Sequence, residues 1–286
     1  MKRHFVYFAI LNLLLIGCIN NETVDGQQKL LASDYHIFQR TTAWDLAKAV
    51  HDDDADKIKQ VVRKNKGLVS VVDPTYGQTL LGLAVYNLKF NSAKTLVELG
   101  ANPNASNNYD GRTPLMEGAN IGYNGTDADS RFLILLLKHG GNPNTEQKFI
   151  HENTGAGSTP LSISCMQGNL EYVKILINAG ADINYKKDPN EATLMSMATL
   201  SKNPDLVLYL LQIGVDFKQP TMIIYGGHKA YITDDLREWR FDIGSEKYRK
   251  KMEIVKFLKQ HGMDYRKTKI PPYFYEQYDK DFLDKY

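Results

Sequence analysis

GSTPLSISCMQGNLEYVKILINAGADIN occupies residues 157–184. Its first half opens on Thr159-Pro160 and its second half closes on Gly180. A threonine starts a helix by accepting a backbone N–H, and a proline in the next position already has helical φ. A glycine ends a helix by entering the left-handed region. The 21 residues from Thr159 to Gly180 therefore predict two short helices, each too short to persist alone in water.

The same marks recur along the chain. GQTLLGLAV (77–85), GRTPLMEGA (111–119) and EATLMSMAT (191–199) align with GSTPLSISC (157–165) through Thr79, Thr113, Thr159 and Thr193. A second series ends on Gly100, Gly140, Gly180, Gly214 and Gly262. Thr79 to Gly100 and Thr193 to Gly214 again span 21 residues, and Gly100 to Thr113 and Gly180 to Thr193 span 13. The unit is 34 residues. Thr42 to Gly67 and Thr233 to Gly262 extend it at the ends, giving about six units. Stacked units bury apolar faces that no single unit can bury, and about three copies suffice for stability.

This pattern resembles the ankyrin repeat, whose first helix opens T-P-L-x-x-A and whose second ends G-A-D-x-N. "GRTPL", "GSTPL" and "INAGADIN" carry the resemblance, which covers roughly residues 42–265. The resemblance implies an all-α solenoid of helix-turn-helix units with hairpin fingers between them. It further implies a concave face lined by fingers and first helices. The degenerate end units fit a stack whose terminal units face water.

Insertions mark where the repeats are altered. IGYNGTDADS (121–130) lengthens one turn between helices, and residues 240–247 lengthen another. TEQKFIHENTGAG (145–157) and QPTMIIYGGHKAYI (219–232) lengthen two fingers. Long loops on a rigid scaffold are enriched in function. Tyr76, Tyr109, Phe149, Tyr185 and Tyr225 fall in or beside fingers, where aromatic side chains supply contact area; His151 joins them as a candidate contact. The competing reading of the aromatic residues is packing of finger on finger.

No catalytic constellation emerges. His151 and His228 lie in the long fingers without the spacing of metal ligands, and no metal or cofactor is expected. His139 and His261 precede helix-ending glycines, where a cation suits the helix dipole. Asp52-Asp53-Asp54 precedes a second helix and reads as capping. Asp127 and Asp129 lack the pattern of a calcium loop. Cys165 reads as a small buried core residue. The aromatic tail from Tyr265 to Tyr286 is expected to cover the last unit, and Leu30, Leu31, Ile37 and Phe38 to cover the first.

The N-terminus differs in kind. Lys2 and Arg3 precede FVYFAILNLLLI (5–16), about 18 Å long as a helix and too short for a hydrocarbon core of about 30 Å. That is the form of a signal peptide. Leu15-Ile16-Gly17-Cys18 resembles the lipobox of bacterial lipoproteins. The resemblance implies cleavage before Cys18, acylation of its thiol, and, with Ile19 following, the outer-membrane route. Residues 1–17 are then signal, 18–40 lipidated cysteine, tether and N-terminal cap, and 41–286 the repeat domain with its tail.

Composition supports this division. The chain has 35 basic and 33 acidic residues; without Lys2 and Arg3 the rest is formally neutral, which argues against a nucleic-acid partner. Two cysteines, Cys18 and Cys165, exclude a disulfide framework. The functional expectation is a monomeric, envelope-anchored module that binds a protein or peptide without catalysis. The alternatives are an immunity or inhibitor protein against an envelope-acting toxin, an enzyme with a site in the 145–157 and 219–232 fingers, or a structural spacer.

Overall fold

The computed structural model describes residues 23–24, 27–28, 30–122, 127–148, 157–184, 193–224 and 228–286. Its contacts divide into two compact units, Met1–Pro114 with Gln147–Ala156, and Leu115–Glu146 with Gly157–Tyr286. Both are helical, as the all-α expectation requires, with short β ribbons added. Among the described residues, no helix is long and apolar enough to cross a membrane.

In the first unit, α1 (Trp44–His51), α2 (Ala55–Lys64), α3 (Leu80–Tyr86) and α4 (Phe90–Glu98) form two antiparallel pairs. First helix packs on first helix and second on second. Leu46, Val50, Ile58, Leu83 and Leu96 are fully buried between them. The ends of these helices are closed by side chains from near and far. Thr79 Oγ1 accepts from the Gly82 N–H at 2.9 Å. The Asp54 carboxylate accepts from the Lys57 N–H at 2.9 Å. Asp53, at φ 56°, turns its carboxylate to the start of α4, accepting from Ser92 N–H at 2.7 Å and Asn91 Nδ2 at 3.0 Å. The acidic triplet therefore caps helices in two successive repeats.

The second unit continues the plan. Pairs α5 (Pro114–Asn120) with α6 (Ser130–Lys138), α7 (Pro160–Gln167) with α8 (Leu170–Asn178), α9 (Leu194–Leu200) with α10 (Pro204–Gln212), and α11 (Ile232–Arg237) with α12 (Glu246–Gln260) follow in order. Thr159 Oγ1 accepts from Ser162 N–H at 3.2 Å, and Ser162 Oγ accepts from Thr159 N–H at 2.9 Å, a reciprocal cap. Thr193 accepts from Ser196 N–H at 3.1 Å. Asn144 ties two repeats together, accepting from Asp182 N–H at 2.7 Å and donating to the Gly180 carbonyl at 2.9 Å. Asn184 repeats the first of these bonds to Asp216 N–H at 3.2 Å. The last residue of the G-A-D-x-N signature is thus a link between neighbours. The 219–232 finger is a hairpin of β3 (Met222–Ile224) and β4 (His228–Ala230), and β1 (Thr23–Val24) pairs with β2 (Gln27–Gln28) in the stretch expected as tether.

All five expected glycines have positive φ, from 86° to 94°. At Gly180 the N–H reaches the Ile177 carbonyl (3.0 Å), and the next N–H, of Ala181, reaches back to Leu176 (3.0 Å). The same paired bonds close α4, α6, α10 and α12. This left-handed termination satisfies carbonyls that the helix leaves orphaned.

Three end marks read from the sequence do not hold. Thr42 is not a cap: α1 begins after Ala43, without a side-chain cap bond. Gly67 lies inside a 3-10 turn (Lys66–Ser70), and α2 is ended by Asn65, whose side chain accepts from the Gly67 N–H at 3.0 Å. Thr233 sits within α11; Tyr231 is the cap residue, and its N–H donates to the Asp234 carboxylate at 2.8 Å. Spacing places a helix pair but does not tell a cap threonine from one a position or two away. The N-terminal cover also differs. Ile37 and Phe38 are buried as expected, but Leu30 and Leu31 stay exposed, and Tyr35 fills the place with its hydroxyl on the Leu83 carbonyl at 3.3 Å.

The tail packs against the last repeat. Phe274, Leu283 and Tyr286 form a cluster with Tyr248 of α12 and Ile270, Tyr273, Tyr278 and Phe282 around it. The Tyr248 and Tyr265 hydroxyls donate to the Lys285 and Tyr286 carbonyls, each at 2.8 Å.

A Cβ at Gly180 meets nothing within 4 Å, so substitution there isolates backbone strain. Gly180→Ala should lower the unfolding free energy by about 1 kcal/mol and Gly180→Asn by less, since asparagine tolerates this conformation. Urea unfolding of the three proteins measures it; equal midpoints would contradict the assignment.

Candidate partner-binding site

The first finger is a turn built on one carboxylate. Asp73 is almost fully buried; its Oδ1 accepts from the N–H groups of Thr75 and Tyr76, both at 2.8 Å, and its Oδ2 from Gln78 N–H at 2.6 Å. Val72 and Thr79 bridge at the base of the loop. The second finger uses an amide for the same work. Asn107 Oδ1 accepts from Tyr109 (2.9 Å), Asp110 (2.9 Å) and Gly111 (3.1 Å), and its Nδ2 donates to Asp110 Oδ1 at 2.9 Å. Three converging N–H donors compensate a buried acceptor well, and each loop is held in one shape.

The fingers are also bonded to one another. Asn108 N–H donates to the Tyr76 carbonyl at 2.7 Å, and Lys148 N–H to the Gly111 carbonyl at 3.3 Å. Gln147 Nε2 donates to the Asp110 carbonyl at 2.7 Å. Glycine is required at this approach: a Cβ on Gly111 would stand 2.2 Å from the Lys148 carbonyl oxygen.

Of the residues singled out in the sequence, the structure brings two together. The rings of Tyr76 and Tyr109 meet edge to face at 5.5 Å. Tyr76 spends its hydroxyl on the Leu30 carbonyl at 2.7 Å, a packing role. Tyr109 remains 44% exposed on the fixed loop. Phe149, His151, Tyr185, Tyr225 and Cys18 lie outside the described residues. Two residues not singled out are more exposed still, Val72 at 47% and Tyr86 at 54%. The supporting Asp73 and Asn107 were also missed, although an Asx residue four before a glycine, at Asp73/Gly77 and Asn107/Gly111, is a readable turn signal.

Residues 123–221 match the family model for ankyrin repeats, in three copies. The chain carries ankyrin repeats. Outside that match, the caps and left-handed helix ends of the first unit follow the same plan. Two curated proteins are similar. An ankyrin repeat and SAM domain-containing protein 6 of Rattus norvegicus is 32% identical over 27% of this chain, and an ankyrin repeat and KH domain-containing protein mask-1 of Caenorhabditis elegans is 27% identical over 57% of it. The matched stretches cover 8% and 7% of those proteins, so the likeness concerns the repeats alone. Ankyrin repeats point to an interaction module whose partners are proteins.

The titratable groups inside the repeats are placed for structure. Cys165 is fully buried at the end of α7, and burial pushes its thiol up, away from the nucleophilic form. His261 stacks on Phe257 at 4.1 Å and shares a hydrogen bond with the Phe257 carbonyl. Burial raises the Asp235 carboxyl to about 6, against a hydrogen bond from the Thr199 hydroxyl at 2.7 Å. Among the described residues, no group of three His, Cys, Asp or Glu side chains is placed to hold a metal ion.

Lys251 of α12 is the unusual case. It is fully buried, with one hydrogen bond to the Trp239 carbonyl (3.2 Å) and its nitrogen 3.4 Å from the Tyr286 ring centroid. Burial, then the Arg237 guanidinium, lowers it to about 6. The facing Tyr286 and Tyr265 rings act the other way, favouring the cation. Between about 6 and the ordinary lysine value the unfolded chain binds more protons, so this group lets stability rise with pH. Lys251→Met should therefore be more stable than the wild type at neutral pH. The gain should grow as pH falls from 9 towards 6, read by urea unfolding through Trp239 emission. A difference independent of pH would contradict the buried amine.

Proposed function

We propose that this protein is a lipid-anchored ankyrin-repeat module of a bacterial envelope that binds a protein or peptide through its fingers. One observation supports this reading most. The loops at 72–79 and 107–112 are fixed from within by Asp73 and Asn107, yet leave Val72 and Tyr109 exposed. A large apolar side chain on a preordered loop loses little entropy on binding, which is how a small contact contributes strongly. The partner is bound, not transformed, and it is not a nucleic acid.

The anchored part of the reading rests on sequence. A basic flank, a short apolar run and Leu15-Ile16-Gly17-Cys18 together suit acylation at Cys18 and transport to the outer membrane. More than one acyl chain holds a protein on a bilayer far more stably than a single one. The protein acts there as a monomer.

One experiment examines both halves. Full-length protein is labelled with a fatty acid in bacterial cells, crosslinked and purified, alongside Cys18→Ala and a Val72→Ser/Tyr109→Ala variant. Cys18→Ala should lose the label and the envelope fraction. The finger variant should keep its label and its unfolding midpoint but lose the crosslinked partner. Persistent labelling would refute the anchor, and an unchanged partner would refute the finger site.

A further inference from the structure

The formal neutrality of the chain after Lys2 and Arg3 conceals a segregated region. From Glu246 to Lys269 there are nine basic residues against three acidic ones. Lys251 is buried, and Lys250 is tied to Asp205 and Glu246, each at 2.7 Å. The other seven are exposed, and among the described residues none of them forms an ion pair. The Asp264 carboxylate is turned inward to the Arg266 N–H at 3.1 Å, leaving Glu253 as the exposed acid not engaged on α12.

The helix sets the direction of this charge. Lys251, Ile254, Val255 and Leu258 form the buried stripe of α12. Arg249 and Lys256, seven residues apart, project from the opposite face. Lys259 follows near the helix end, and Arg266, Lys267 and Lys269 extend the charge through the 3-10 turn (Tyr265–Lys267) and beyond. We propose that this basic edge docks on the anionic headgroups of a lipid surface.

Two features favour a bilayer over an acidic protein. Five of the seven exposed cations are lysines. Lysine is depleted in protein interfaces, where the forked guanidinium of arginine suits carboxylates better. An anionic bilayer, by contrast, attracts every cation within a Debye length, whatever its geometry. The same unit also exposes Tyr275, a side chain suited to the headgroup boundary. The proposal deepens the anchored reading and rests on it for the presence of a membrane, but its test uses no acyl chain. Failed labelling at Cys18 would leave a vesicle preference standing, and the reverse also holds.

The full chain carrying Cys18→Ala is floated with vesicles of phosphatidylcholine alone and with vesicles that also contain phosphatidylglycerol. Binding should favour the anionic vesicles by about tenfold or more at low salt, and the preference should fade as salt rises. Lys256→Glu/Lys259→Glu/Arg266→Glu/Lys267→Glu should abolish the preference. The corresponding four glutamine changes, milder for folding, should reduce it strongly with an unchanged melting curve. Lys2 and Arg3 are common to all three chains and cancel in the comparison. Equal binding to both vesicle types, or a preference kept by the glutamine variant, would overturn the proposal. Capture by polyglutamate without a vesicle preference would assign the edge to an acidic protein and overturn it as well.

Discussion

A short helix is mostly ends. α3 has seven residues and α4 nine, while any α-helix leaves four N–H groups unpaired at its start and four carbonyls at its finish. Such helices exist in water only if those groups find partners and if a neighbour buries the apolar face. The repeats that open at Thr79, Thr159 and Thr193 answer the first demand with one threonine and one left-handed glycine, and the second by stacking. Links between repeats, such as Asp53 to Ser92 and Asn144 to Asp182, close one repeat with a side chain from another.

The fingers apply the same logic outside the helices. A tight loop has several N–H groups pointing inward and no ladder to receive them. Asp73 and Asn107 collect three each, one period apart, and the loops then bond to one another through Asn108 and Lys148. Rigidity is therefore supplied by two buried side chains, Asp73 and Asn107. Tyr109 keeps part of its ring exposed on the fixed loop, whereas Tyr76 commits its hydroxyl to the Leu30 carbonyl.

This division explains what could be read in advance. Thr79, Thr159, Thr193 and the five helix-ending glycines were legible because each device needs one residue type at one position. Thr42, Gly67 and Thr233 misled because the end units close their helices differently: α1 has no side-chain cap, and Asn65 and Asp234 serve at the other two places. Leu30 and Leu31 looked like cover, but Tyr35 reaches the core and they do not. Lys251 was illegible for a simpler reason. It sits in a run of cations that reads as solvated face, and only the packed tail turns it inward. Of the candidate contacts, Tyr76 and Tyr109 lie in the described fingers, and their unequal bonding depends on hydrogen bonds that spacing does not reveal.

Asp73 and Asn107 order the fingers in the unbound protein. Native-state hydrogen exchange of the unbound protein tests it most directly, at the amides of Thr75, Tyr76, Gln78, Tyr109, Asp110 and Gly111. Protection should approach that of α3 and α4, because each amide is held by Asp73 or Asn107. Exchange at the rate of an unstructured loop would contradict it.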